Sequence, residues 1–331
     1  MRFLRSISTL CVLVMVSVSA GYSQQVYQFS QYLQNIYALN TATAGLHDYT
    51  EVNVGFRKQW VGIDNSPQTL YLSVNTPLGK RLELSPKASS VRISNPQAYN
   101  DFKRKSFHAV GGMLAVDSYG PYAQTVAMLS YAFHLPVAEE LTLSFSPNVS
   151  FNSVRFDRTK AIVELQGDPT YDSYVGMQGK SQQMDINLAF WMYHTKFFFG
   201  YSSDQLVQDR LQVSSTITLE DLKAHHQFIG GYHHKMKRNI VLTPSVMVKY
   251  VDQSPLSFDV NFRVDYQDRI WGGLSYRNAH ALVAMFGMHV SNTFRFGYAF
   301  DFSLSAIRTQ NIGSHELLIG VNLFNREKAA F

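Results

Sequence analysis

Hydrophobic and polar positions alternate with a period of two along much of this chain. From Thr293 to Leu304, Phe294, Phe296, Tyr298, Phe300, Phe302 and Leu304 share one face. Thr293, Arg295, Gly297, Ala299, Asp301 and Ser303 share the other. A tilted strand of roughly 9–11 residues crosses the hydrocarbon of a bilayer, whereas globular strands average about 5–6. Leu141, Leu143, Phe145, Pro147, Val149 and Phe151 alternate with Thr142, Ser144, Ser146, Asn148, Ser150 and Asn152. Met184, Ile186, Leu188, Phe190 and Met192 alternate with Asp185, Asn187, Ala189, Trp191 and Tyr193, and Leu317, Ile319, Val321 and Leu323 alternate with Leu318, Gly320, Asn322 and Phe324. The second face is rich in Ser, Thr, Asn and Gly. That suits a polar lumen better than a solvent-facing surface of Lys and Glu.

The pattern predicts an all-β, transmembrane antiparallel β-barrel of fourteen strands, near 51–60, 67–76, 106–117, 122–133, 141–153, 181–193, 196–203, 223–234, 240–251, 257–265, 269–277, 280–290, 293–304 and 314–324. An even count places both barrel ends on the periplasmic side, where turns are short. His194-Thr195, Lys235 to Asn239, Tyr266 to Asp268 and Ser291-Asn292 fit that side, while Arg155 to Lys180 and Ser203 to Leu222 fit the outer one. The connection from Pro77 to Lys105 breaks the rule. It is a basic insertion near 77–105 with seven Lys and Arg against Glu83 and Asp101. It reads as a solvated charged loop or as a docking surface for a periplasmic partner. Residues 24–50 form a polar segment without long alternation, expected either as a plug in the lumen or beneath it.

The start of the chain changes the picture further. Arg2 and Arg5 precede an apolar run from Ile7 to Val16, and Val18-Ser19-Ala20 offers small residues for cleavage. Residues 1–23 therefore read as an export signal, too short in its apolar run to span a bilayer as a helix. The only cysteine, Cys11, lies inside it. The exported chain has no disulfide to lean on. Aromatics reach 14% while charged residues are only 16%, below the usual ~25%. The net charge of +5 is too weak and dispersed to argue nucleic-acid binding. A secreted all-β sandwich is the soluble alternative.

Candidate chemistry is sparse. Adjacent His225-His226 and His233-His234 point to opposite faces of a strand, and His226 and His234 lie eight positions apart. Neither arrangement reads as a metal site, and no cofactor is expected. The chain carries no Gly-x-Ser-x-Gly, phosphate loop or His-Glu-x-x-His. It is read as not an enzyme, although a hydrolase triad assembled from separate strands stays open. More telling are polar residues on the presumed lumen face: Arg57 with Gln59, Arg269 with Trp271, Ser275 and Arg277, and Arg295 with Asp301. Charges inside a small barrel must pair or meet water.

Several pieces, in order, resemble one family. Gln28-Phe29-Ser30-Gln31-Tyr32, Asn40 and Ala44-Gly45 come first, then Phe56-Arg57-Lys58-Gln59-Trp60-Val61-Gly62 and Pro67-Gln68-Thr69. Gly111-Gly112 to Asp117 and Gly120, Pro244-Ser245 with Lys249-Tyr250, and Asp259 follow. Trp271 to Arg277, Gly297 to Asp301 and Gly313-Ser314-His315-Glu316 complete the set. This order resembles the PorP/SprF family of type IX secretion membrane proteins, from about residue 26 to 324. Thr41 departs from the family's usual Pro, and Phe300 from its common Tyr.

The resemblance implies a bacterial outer-membrane barrel of the type IX secretion system that supports secretion or surface anchoring of large, gliding-associated adhesins. The partners it implies are outer-membrane lipid, an adhesin with a C-terminal sorting domain, and periplasmic ring or peptidoglycan-binding components. Candidate lumen or partner contacts are Gln28, Phe29, Gln31, Tyr32, Arg57, Gln59, Trp60, Asp117, Lys249, Asp259, Arg277 and Asp301. The competing function is a passive or substrate-specific outer-membrane channel.

Overall fold

The computed structural model describes residues 29–79, 106–161, 180–207, 212–215, 223–236, 239–252, 254–278 and 280–325. The expected signal peptide, Gln28 and most of the basic insertion lie outside the described residues.

Fourteen strands form the wall. They are β1 (Thr50–Lys58), β2 (Gln68–Leu78), β3 (Phe107–Tyr119), β4 (Tyr122–Ala138), β5 (Leu141–Phe156), β6 (Lys180–His194) and β7 (Phe197–Asp204). The second half comprises β8 (His225–Tyr232), β9 (Ile240–Val251), β10 (Ser257–Tyr266), β11 (Ile270–Arg277), β12 (Ala281–His289), β13 (Phe294–Ser303) and β14 (Ser314–Leu323). Two short pieces accompany them. Gln212–Ser215 pairs with the start of β6, and His234–Lys235 continues β8 along β9. Each wall strand runs antiparallel to its neighbours in sequence, and β14 pairs with β1 from Thr50↔Leu323 to Lys58↔His315. First-to-last pairing closes the sheet and removes every unpaired edge, the condition for a strand structure in lipid.

The wall sorts its side chains as the alternation predicts. On β13, Arg295, Gly297, Ala299, Asp301 and Ser303 are buried, whereas Phe294 is 52% exposed and Phe302 51%. Leu70, Leu72, Leu274, Phe286 and Ile319 are likewise exposed on the outer face. Apolar groups that a second sheet would cover in a sandwich stand outward here, so the sandwich alternative is excluded.

Most strand ends fall within two residues of the expectation, β5 runs three residues further, and the departures of β4 and β1 have a visible cause. β4 runs to Ala138 instead of 133, because outward Leu135 and Val137 continue the pattern past Pro136, where the register with β5 shifts. A proline inside a strand is accommodated at such an irregularity. β1 stops at Lys58 instead of 60, because Trp60 takes a φ of 47° and turns the chain. The rim with turns at 139–140, 195–196, 267–269 and 290–293 is the short-turn rim, which in outer-membrane barrels faces the periplasm. At the opposite rim the loops interlock: Val61 N–H donates to Gly313 O at 2.8 Å and Ile312 N–H to Val61 O at 2.8 Å.

Candidate functional site

The interior is occupied by the chain's own segment Phe29–Tyr49. Its regular pieces are two single 3-10 turns, Ile36–Ala38 and Thr41–Thr43. Such a segment cannot satisfy its own backbone, so the inner wall must supply partners. Its path crosses the barrel. Ser30 bonds to residues near the long-loop ends of β1, β13 and β14, and the segment leaves through Tyr49 into the short-turn end of β1.

At the Ser30 end the partners are charged. Arg57 on β1 donates from Nη2 to Asp301 at 2.6 Å and from Nη1 to Glu316 at 3.1 Å. Arg277 on β11 donates to Asp301 at 3.4 Å and to Asp259 at 3.2 Å. Ser30 Oγ donates to Asp301 at 2.8 Å and accepts from Arg57 Nη1 at 2.6 Å. The backbone N–H groups of Ser30 and Gln31 both donate to the Glu316 carboxylate, at 2.7 and 3.0 Å, and Gln31 Nε2 donates to Glu316 O at 3.1 Å. All five ionised side chains are nine-tenths or more buried. Charges that deep are tolerated only when paired and hydrogen-bonded, which this clamp achieves.

Further along, Tyr32 OH bonds Asn261, and Arg263 donates to Leu33 O at 3.4 Å while lying 5.0 Å over the Trp271 ring. Asn35 donates to Ser73, Tyr37 OH bonds Ser130 Oγ, and Gly111 is required there because a Cβ would lie 2.6 Å from the Tyr37 ring. Asn40 Nδ2 reaches the wall carbonyls of Phe190 and Tyr201 at 3.1 and 2.9 Å, and its Oδ1 accepts from Ala42 N–H. Ser144 donates to Ala42 O at 2.6 Å, Asn148 to Thr41 Oγ1 at 3.1 Å, and His134 Nε2 to Ala44 O at 2.8 Å. A second ion pair, Arg295 to Glu51 at 2.9 Å, lies nearer the short-turn rim.

The structure thus brings together Gln31, Arg57, Asp259, Arg277 and Asp301 from the sequence candidates, with Tyr32 beside Asn261 and Phe29 packed 4.3 Å from the Tyr71 ring. Asp117 accepts from Thr69 at 2.6 Å on the same inner face. Lys249 follows buried Met247 by two positions on β9 and is in register with Gln227 and Ser257. Gln59 and Trp60 are displaced to the rim, their N–H groups bonded to Pro67 O and Ser314 Oγ. Arg269 is corrected as well. It is exposed in the turn after Gln267 and Asp268, whose φ of 53° breaks the alternation that put it beside Trp271. His225 is buried while His226 bonds Tyr201 OH and Ser203 Oγ, and among the described residues no three His, Cys, Asp or Glu are grouped to hold a metal.

Sequence reasoning missed Glu316, Ser30, Asn40, Asn148 and His134 as site residues. Glu316, Ser30 and Asn40 sat inside recognised motifs, and inward parity on β14 was the available signal for Glu316.

A closed antiparallel wall, greasy outside and polar inside, defines an outer-membrane β-barrel. Residues 21–321 match the family described as type IX secretion system membrane protein PorP/SprF, and the chain belongs to that family. It is an outer-membrane component of the type IX secretion system. No curated protein matches it. In fold it is similar to the CymD monoaromatic hydrocarbon channel (10% identity, 92% of this chain and 94% of that one, TM-score 0.48). It is also similar to the Pseudomonas putida toluene transporter TodX (10% identity, 91% and 94%, TM-score 0.43). A third likeness is to Acinetobacter baumannii Omp33 (9% identity, 84% and 100%, TM-score 0.46).

Proposed function

We propose that this barrel supports the secretion or surface anchoring of large adhesins of the gliding-associated type, through protein–protein contacts and without catalysis. The observation that carries the reading is the lumen-crossing segment Phe29–Tyr49, clamped by Arg57, Asp301 and Glu316. A barrel filled by its own chain is poorly suited to free solute passage, and its work falls to the loops and rims that partners reach. Family membership supplies the secretion context. The partners are an exported adhesin with a C-terminal sorting domain on one side and periplasmic ring or peptidoglycan-binding components on the other. The basic 77–105 stretch is proposed as the periplasmic contact.

The test is deletion of the gene in the cell that makes the protein. A large surface protein should vanish from the cell exterior while small-solute uptake stays unchanged. Purified protein in a planar bilayer should be silent. Steady ion conductance together with an unaltered cell surface would establish the channel function instead.

A further inference from the structure

At the seam where β14 closes on β1, the inner clamp has an outer counterpart. Arg57 and Lys58 are consecutive, as are His315 and Glu316. Strand alternation therefore sends Arg57 and Glu316 into the lumen and Lys58 and His315 to the outside. The register sets Lys58 opposite His315 on one side and opposite Gln68 on the other, and His315 opposite Phe300. Four neighbouring strands thus present one outward row, Gln68, Lys58, His315 and Phe300, each half-buried. The Tyr298 hydroxyl bonds His315 Nδ1 at 2.6 Å, and the Phe300 ring lies 5.1 Å from the imidazole. With the tyrosine donating, Nε2 keeps its hydrogen as a donor.

The rows beneath fix its depth. Leu70, Phe56 and Leu317 form the next outward row, then Leu72, Val54 and Ile319, then Val74, Val52 and Val321. The row after that carries Thr50 and Thr76, whose hydroxyls bond each other at 2.8 Å. From Thr50 to Lys58 is about 27 Å along the strand, or roughly 20 Å of height at a barrel strand's tilt. The two polar rows therefore bound the apolar band. The neutral threonine row lies at the short-turn, periplasmic edge, and the basic row at the long-loop edge, in the outer leaflet. Carboxylates do not share the basic face. The three on β1, β2, β13 and β14 are Glu51, Asp301 and Glu316, all buried in the lumen and paired with Arg295 or Arg57.

We propose that this row holds the phosphate of an anionic lipid in the outer leaflet. The Lys58 ammonium and the His315 ring are donors of the kind that bind phosphate oxygens, and the Gln68 amide adds a neutral one. A lysine at the hydrocarbon edge extends its ammonium toward the headgroups. Basic residues at this depth meet lipid phosphates directly. Immediately below, Phe56, Leu70 and Leu317 stand exposed on the outer face, an apolar surface for acyl chains. A phosphate joined to acyl chains matches both halves of the site, whereas a soluble anion matches the row alone. The lipid braces from outside the same β1–β14 seam that Arg57, Asp301 and Glu316 close from inside.

The test titrates the full chain, in an uncharged detergent, with lipid A and reads bound lipid by native mass spectrometry. The parent should bind lipid A about tenfold more tightly than dephosphorylated lipid A. Lys58→Gln should weaken lipid A binding about tenfold and His315→Gln about threefold, while Lys58→Arg should stay within about twofold of the parent. Lys196→Gln, at the short-turn rim, is the control and should leave binding unchanged. Heat-modifiable migration confirms that each variant is folded; should the Lys58 and His315 variants misfold, the comparison of the two lipids on the parent carries the test. Inorganic phosphate in large excess should not displace the lipid. Displacement by inorganic phosphate would make the site one for a soluble anion and overturn the proposal. Equal affinity for the two forms of lipid A overturns it too, as does a loss in Lys58→Gln no larger than that in Lys196→Gln.

Discussion

Two stretches of the lumen segment, its start and its middle, are held by opposite chemistry. Ser30 and Gln31 sit in a clamp of buried ions, Arg57, Asp301 and Glu316, which Arg277 and Asp259 extend along the wall. Asn40 to Gly45 hang from neutral groups: the carbonyls of Phe190 and Tyr201, and the side chains of Asn148, Ser144, His134 and Asn75. Neutral hydrogen bonds contribute separately, at about 1 kcal/mol each. The ionic end behaves as a unit, since removing one partner leaves the others charged in a low-dielectric interior. The wall therefore grips the same segment by an all-or-none lock at one rim and by graded attachment toward the other.

The largest expected effect tests the lock. Arg57→Met should lower stability by about 3–5 kcal/mol, because Asp301 and Glu316 lose the cation between them. The measurement is the urea midpoint of the folded, heat-modifiable species. Adding Asp301→Asn and Glu316→Gln should recover most of the loss. If the triple variant is no more stable than the single one, stranded charge is not the cause and the contrast between the two ends fails.

The outer half of this architecture was legible because lipid imposes one rule on every strand. Each second residue must be apolar, and Phe294 to Leu304 obeys it without exception. The lock was only partly legible. Parity places Arg57, Asp259, Arg277 and Asp301 on the inner face, but parity cannot say which polar residues meet. Arg57 and Glu316 are 259 positions apart and become neighbours only when β14 closes on β1. The neutral end was the least legible, since Asn40, Thr41 and Ala42 belong to a segment with no period to read. The misplacements of Gln59 and Arg269 share one cause: alternation was extended into turns, where the positive φ of Trp60 and of Gln267 and Asp268 ends it.

The graded end yields smaller effects. Asn40→Ala removes two bonds to wall carbonyls and the side-chain cap on Ala42 N–H. Stability should fall by about 1–3 kcal/mol. Planar-bilayer recordings should show brief openings absent from the parent, because the middle of the segment loses its hold on β6 and β7. A loss as large as that of Arg57→Met would erase the distinction between lock and graded attachment.

The finest test is Ser144→Ala. Its hydroxyl donates to Ala42 O at 2.6 Å and is fully buried, so the variant removes one bond and one atom. The outward neighbours Leu143 and Phe145 keep their places against lipid. The expected loss is about 1 kcal/mol, read from the same urea midpoint. Combined with Arg57→Met, it also asks whether the two anchors are independent. They share no partner and grip stretches of chain more than ten positions apart, so the losses should add to within about 0.5 kcal/mol. If Ser144→Ala costs nothing once Arg57 is gone, the segment docks as one body, and the ionic lock must close before the neutral bonds can form.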